Sequence, residues 1–120
     1  MSYNAASAAN YANNYAQSQS DGKCALYVRR AVERGGVLLR HTARAKDMGA
    51  ALLDAGFYAV NGAPRKGDVV VIQPAPGHPD GHAAIYDGQN WISDFKQLHG
   101  LYPGPAYRSS QPPYKIYRHD

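Results

Sequence analysis

Four consecutive β-branched apolar residues, Val69-Val70-Val71-Ile72, stand between Asp68 and Gln73 with no polar residue among them. A strand wetted on one face alternates polar and apolar positions, so an unbroken run predicts a central strand buried on both faces. The helical signals all precede that run. Ala8, Tyr11, Ala12 and Tyr15 have helical spacing within 5–18; a second helix is expected from Gly22 to Arg34, stopped by Gly35-Gly36. After a loop over 37–45, Met48, Ala51, Leu52 and Ala55 repeat at helical spacing, predicting a third helix from Lys46 to Gly56. Strand patterns follow at 57–60, 68–73, 82–86, 90–95 and 114–118.

The expected architecture is therefore α+β, a small antiparallel sheet with the N-terminal helices packed on one side. At 120 residues there is room for one core, so residues 1–120 are read as a single catalytic domain, helix-rich over 1–56 and sheet-rich over 57–120. Pro74 to Gly81 is expected to wall a cleft, and the long Gly/Pro/Tyr connection from Leu98 to Pro113 to set specificity.

Cys24 is the one cysteine, so it closes no disulfide within the chain. Cys24, Val28, Ala31 and Val32 follow one helix face, with Ser20 or Asp21 as N-cap candidates, which puts the thiol in the first turn. Unpaired backbone N–H groups and the positive end of the helix dipole lie there, and both favour a thiolate and can hold an oxyanion. A free cysteine can equally be a small buried hydrophobe, so Cys24 needs partners to count as chemistry.

Candidate partners lie on the two strands joined by Asp87-Gly88. A three-residue loop, Asp87 to Gln89, pairs Tyr86 with Asn90 and sets His82 opposite Asp94, about 5 Å apart at Cβ. A two-residue loop sends Asp94 to the other face. A cysteine at a helix N-terminus, a histidine on a strand and a polar residue on the next make the arrangement of a cysteine hydrolase, in which the histidine moves the thiol proton and the third group orients it.

Gly22-Lys23-Cys24-Ala25-Leu26-Tyr27-Val28-Arg29, Lys66-Gly67-Asp68-Val69-Val70-Val71-Ile72 and Gly81-His82-Ala83-Ala84-Ile85-Tyr86 together resemble the NlpC-like and CHAP cell-wall hydrolases, papain-related cysteine amidases and endopeptidases. The resemblance runs from about residue 5 to 118. It implies a papain-like fold and cleavage of an amide in the peptide stems or cross-links of bacterial peptidoglycan, without a cofactor. By the same resemblance Cys24 matches the nucleophile, His82 the base and Asp94 the orienting group. The family more often carries His, Asn, Gln or Glu at the third position, which makes Gln97 the rival of Asp94.

The compact length resembles most the stand-alone amidase toxins that bacteria inject into rivals through type VI secretion; a phage lysin or a self-directed remodelling enzyme would share the same core. An injected toxin implies a cognate immunity protein plugging the cleft near Cys24. Met1-Ser2-Tyr3-Asn4 lacks the basic start of a signal peptide and no apolar run spans a bilayer. The expectation is a monomer made in the cytoplasm that acts on the periplasmic wall of a target cell.

A net charge of +4 is scattered over Arg29, Arg30, Arg40, Arg44, Lys46, Arg65 and Lys66, which suits an anionic envelope and forms no nucleic-acid motif. His78, Asp80, His82 and Asp94 invite comparison with a metal site, but Pro79 and Gly81 break the helix that would align a His pair, and no metal is expected. Tyr27 is weighed as an oxyanion donor against packing between helices, Trp91 is assigned to the core, and Asp80 is a candidate to bond His82 or shape its loop. A reading from another class remains: the same fold binding a wall peptide or protein, with Cys24 in its core.

Overall fold

The computed structural model describes residues 2–120. Its sheet has six strands, β1 (Tyr58–Val60), β2 (Val69–Ile72), β3 (His82–Tyr86), β4 (Trp91–Ile92), β5 (Lys96–Gln97) and β6 (Tyr114–Arg118), in the order β1-β6-β2-β3-β4-β5. Every neighbouring pair is antiparallel. All four residues of β2 are buried, as the apolar run requires.

Two apolar layers supply that burial. Helices α1 (Ala5–Tyr15), α2 (Cys24–Arg34) and α3 (Met48–Asp54) cover the face carrying Val69, Val71, Ala83 and Ile85. The opposite face, with Val70, Ile72, Ala84, Trp91 and Ile116, is covered by Leu101, Tyr102, Ala106 and Tyr107. The fold is thus α+β with the N-terminal helices on one side of an antiparallel sheet. The connection from Leu98 to Pro113 is more than a loop, since it contains a short helix, α4 (Pro105–Ser110), started by a proline in its first turn. The third predicted helix is shorter than its pattern, a 3-10 turn (Ala45–Asp47) running into α3.

The β3–β4 register differs from expectation. Asp87 Oδ1 accepts the N–H groups of Gln89 (2.8 Å) and Asn90 (2.6 Å), and Asp87 N–H donates to Asn90 O at 3.0 Å. This side-chain turn lengthens the loop to 87–90 and pairs Tyr86 with Trp91. A shift by one residue reverses the facing of every later side chain, so the predicted His82–Asp94 pairing does not form. The predicted strand 90–95 also breaks: Ser93 N–H donates to Phe95 O at 2.9 Å, and the chain folds back as β5, which sets Gln97 opposite Trp91.

Two glycine-led motifs gain a physical reason. Gly67 has φ +92° and its carbonyl accepts the Tyr3 hydroxyl at 3.0 Å; a Cβ there would stand 2.5 Å from Ala5 Cβ. The adjoining Asp68 is buried and accepts from Arg118 Nε (2.9 Å), Arg118 Nη2 (2.8 Å) and Arg65 N–H (2.8 Å), tying the end of β6 to the start of β2. Gly81, at φ +72°, sits where any Cβ would meet the carbonyl of Ile72, so glycine lets the chain enter β3 directly against β2. Among the described residues no helix is long and apolar enough to cross a membrane.

Candidate active site

Cys24 is the first residue of α2, half-buried and without a disulfide partner. No side chain of its own segment caps this helix. The cap comes from far along the chain: Asp94 Oδ2 accepts the N–H groups of Asp21 (2.9 Å) and Lys23 (3.1 Å) and the Ser20 hydroxyl (2.9 Å). Asp94 is 0% exposed. Burial works to raise its pKa, but these donors outweigh burial and hold the carboxyl below the ordinary carboxylate value. The backbone N–H groups of Cys24 and Ala25 lie close enough to the sulfur to favour its anion, and neither donates to an acceptor among the described residues.

His82 begins β3 and is buried. Its Nε2 lies 2.8 Å from Gln97 Oε1, and Gln97 Nε2 donates to the carbonyls of Gly100 (3.0 Å) and Leu101 (2.9 Å). Those two carbonyls can only accept, which fixes the amide orientation and turns its oxygen to the histidine. His82 must then carry its proton on Nε2 and keep Nδ1 as the acceptor. Gln97, 2% exposed, is the side chain hydrogen-bonded to His82, whereas Asp94 spends its oxygens on the turn before Cys24.

Cys24 and His82 line one cleft of about 650 Å³, together with His78, Arg29, Pro105 and Tyr107. Residues 77–81 line it, as expected of the loop that ends at Gly81, and Pro103, Gly104, Pro105 and Tyr107 of the long connection join them. The Tyr107 ring lies 5.1 Å from that of His78 and 5.9 Å from that of His82. Burial, with the charges of Cys24 and Asp80 nearby, pushes its hydroxyl up to about 12. Burial likewise pushes the Cys24 thiol up, against the backbone of Ala83 and assisted by the Asp94 charge, and pushes His82 down despite the Gln97 bond. At Cys24 the donors at the helix N-terminus act against that burial.

The remaining candidates separate. Tyr27 hydroxyl accepts from Gln17 Nε2 at 3.0 Å, away from the cleft. Asp80 lies 3.6 Å from Arg44, and Lys46 N–H donates to its carbonyl at 2.8 Å, so it shapes the loop. Trp91 is buried beside Tyr86 in the second apolar layer. Among the described residues no three His, Cys, Asp or Glu side chains converge as ligands would. Gln97 entered the sequence reading through the family's habit at the third position; its geometry adds a chemical reason, since an uncharged side chain with both donor and acceptor can bridge an imidazole and two carbonyls, and an aspartate cannot.

A solved structure described as a type VI native effector-immunity complex, Tae3-Tai3, from Ralstonia pickettii superposes with a TM-score of 0.97 at 63% identity, covering 98% of this chain and all of that one. A second structure of that complex, containing selenomethionine, gives 0.91 at 65% identity over 92% of this chain and 98% of that one. The chain belongs to the Tae3 family of type VI effectors. This Tae3-family chain also shares its fold with Ly7917, at a TM-score of 0.59 and 15% identity, covering 93% of this chain and 61% of that one. Comparisons with protein-family models and with curated proteins gave no match.

Proposed function

We propose that this Tae3-family chain is an antibacterial cysteine amidase that cuts an amide in the peptide stems of a target cell's peptidoglycan. The observation that carries the reading is the fixed His82–Gln97 pair, which leaves Nδ1 of His82 as a base in the cleft that holds Cys24. In the proposed cycle, His82 Nδ1 takes the Cys24 proton as sulfur bonds to the substrate carbonyl carbon. The N–H groups of Cys24 and Ala25 receive the oxyanion. As the C–N bond breaks, the imidazolium gives its proton to the leaving amine. Water, deprotonated by His82, then forms the C–O bond and releases the sulfur, which regains the proton. Gln97 acts as a positioning residue and Asp94 as the anchor of the nucleophile's helix.

Burial, which pushes the thiol up and the imidazole down, suits an order in which charge forms as the bond to the substrate does. Digestion of Gram-negative peptidoglycan by wild type and Cys24→Ala, with mass spectrometry of the released fragments, tests the reading. Fragments from wild type alone are expected and name the bond; equal digestion by Cys24→Ala removes the cysteine mechanism.

By analogy with the Tae3-Tai3 complex, a cognate immunity protein is expected to seat on the cleft. It should shield Cys24 from alkylation, and changes at Pro103, Gly104 and Pro105 on the cleft wall should weaken inhibition. Delivery by type VI secretion belongs to the same reading.

A further inference from the structure

A second concavity, of about 560 Å³, opens beside the first. It lies between the 3-10 turn with the start of α3 and the end of the sheet formed by β2 and β6. Buried Val71 and Tyr117 lie beneath it, and Arg40, Lys46, Lys115 and Tyr114 stand around it. Arg40 is paired with Asp54 at 3.1 Å and Asp47 is the one acid lining the groove. Lys46 and Lys115 form no ion pair among the described residues. Arg40, Lys46 and Lys115 outnumber the unpaired Asp47, so the groove's lining is net positive and favours an anion.

Its position is tied to the cleft. Ile72 pairs with His82 on one side and with Tyr114 on the other, so the β6 side of the groove lies two strand spacings, about 10 Å, from the strand of His82. The same turn forms the wall between them: Ala45 lines the cleft, Lys46 lines the groove, and Lys46 N–H holds the carbonyl of Asp80 at 2.8 Å. About three residues of extended peptide bridge such a distance. The wall peptides of Gram-negative bacteria carry free carboxylates on their glutamyl, diamino-acid and terminal residues.

We propose that this groove is a second, carboxylate-binding subsite, holding the part of the peptide stem that continues beyond the bond cut in the cleft. The proposal rests on the peptidoglycan reading above. Lys46 and Lys115 engage the carboxylates through flexible side chains that tolerate stems of differing length, while Gln73 offers a polar partner to the peptide backbone. The chain's net charge of +4 concentrates it at the polymer, and the groove turns that attraction into register.

The test is co-sedimentation with Gram-negative sacculi in the Cys24→Ala background, with and without Lys46→Glu and Lys115→Glu, across a sodium chloride series. Binding about tenfold weaker at low salt and a flatter salt dependence are expected of the charge-reversed protein. Sacculi whose carboxylates have been converted to methylamides should bind the Cys24→Ala protein equally poorly. Lys46→Gln with Lys115→Gln should give a smaller loss, and unchanged thermal unfolding of both pairs separates binding from folding. Equal binding of parent and charge-reversed protein overturns the subsite, as does a loss that methylamidation does not reproduce. Digestion by wild type is read separately: digestion with equal binding rejects the groove alone, and intact sacculi with carboxylate-dependent binding reject the hydrolase alone.

Discussion

Gln97 makes three hydrogen bonds with one amide, and they tie the imidazole of His82 to the turn at Gly100 and Leu101. Replacing it by alanine frees the ring and leaves those carbonyls without their donor; kcat is expected to fall about 100-fold with little change in KM. Gln97→Glu is the sharper probe. A carboxylate beside Nε2–H stabilises the imidazolium, so the acid limb of kcat/KM should move to higher pH than in wild type. In wild type that limb is expected below pH 6.5, because burial holds His82 below its ordinary 6.5 and the free base survives in mild acid. Alkylation of native Cys24 by iodoacetamide should rise through the range above pH 9, the thiol being raised from its ordinary 9.0, and a plateau near pH 6 would reveal a resting ion pair instead. Asp94 gives a stability signature. Its folded pKa lies below the ordinary 3.8, so its contribution is complete above that value and is lost as pH falls through the folded one. Asp94→Asn should cost about 2 kcal/mol at pH 7 in urea unfolding, with the gap to wild type closing below pH 4.

The elements show which parts of this design a sequence displays. β2, β3, β6 and the end of α2 were legible because their signals are local: an apolar run, a Gly-His entry, a helical repeat ended by paired glycines. The resemblance that singled out Cys24 and His82 drew on the same local motifs. The hydrogen-bond partner of His82 was half legible: the resemblance offered Gln97 as the rival of Asp94, but which of them reaches the ring depends on a loop length that the carboxylate of Asp87 sets by capturing two N–H groups. β5 has two residues and no pattern of its own; it exists because the turn at 93–95 reverses the chain onto β4. The cap of α2 was hidden for another reason, for its donors and acceptor lie more than 70 positions apart. A similar long-range tie holds the sheet's far side, where Arg118 closes on buried Asp68. Arg118→Ala leaves that carboxylate with the Arg65 N–H alone and should cost about 3 kcal/mol, read as a lower urea midpoint with an unchanged m value.

At the scale of the molecule, the cleft and the second apolar layer share a wall. Tyr107 is buried in the layer that holds Trp91 while its ring lies against His82 in the cleft. Cys24 packs on the other layer, across the sheet. If the two layers fold as one unit, loosening either must loosen both, and the chain carries a reporter on each side. Trp91 is the one tryptophan and Cys24 the one cysteine, so fluorescence reads one face and the alkylation rate the other. The expected result is a single urea midpoint by both probes. Tyr107→Ala removes a buried ring and should cost about 3 kcal/mol of stability, moving both midpoints down together, whereas Tyr107→Phe keeps the packing and should leave both near wild type. A Trp91 transition that precedes exposure of Cys24 would mean that the 98–113 segment peels from a sheet still held by its helices. The cleft would then owe its shape to a separable flap, and activity would be lost at urea concentrations where α2 remains folded.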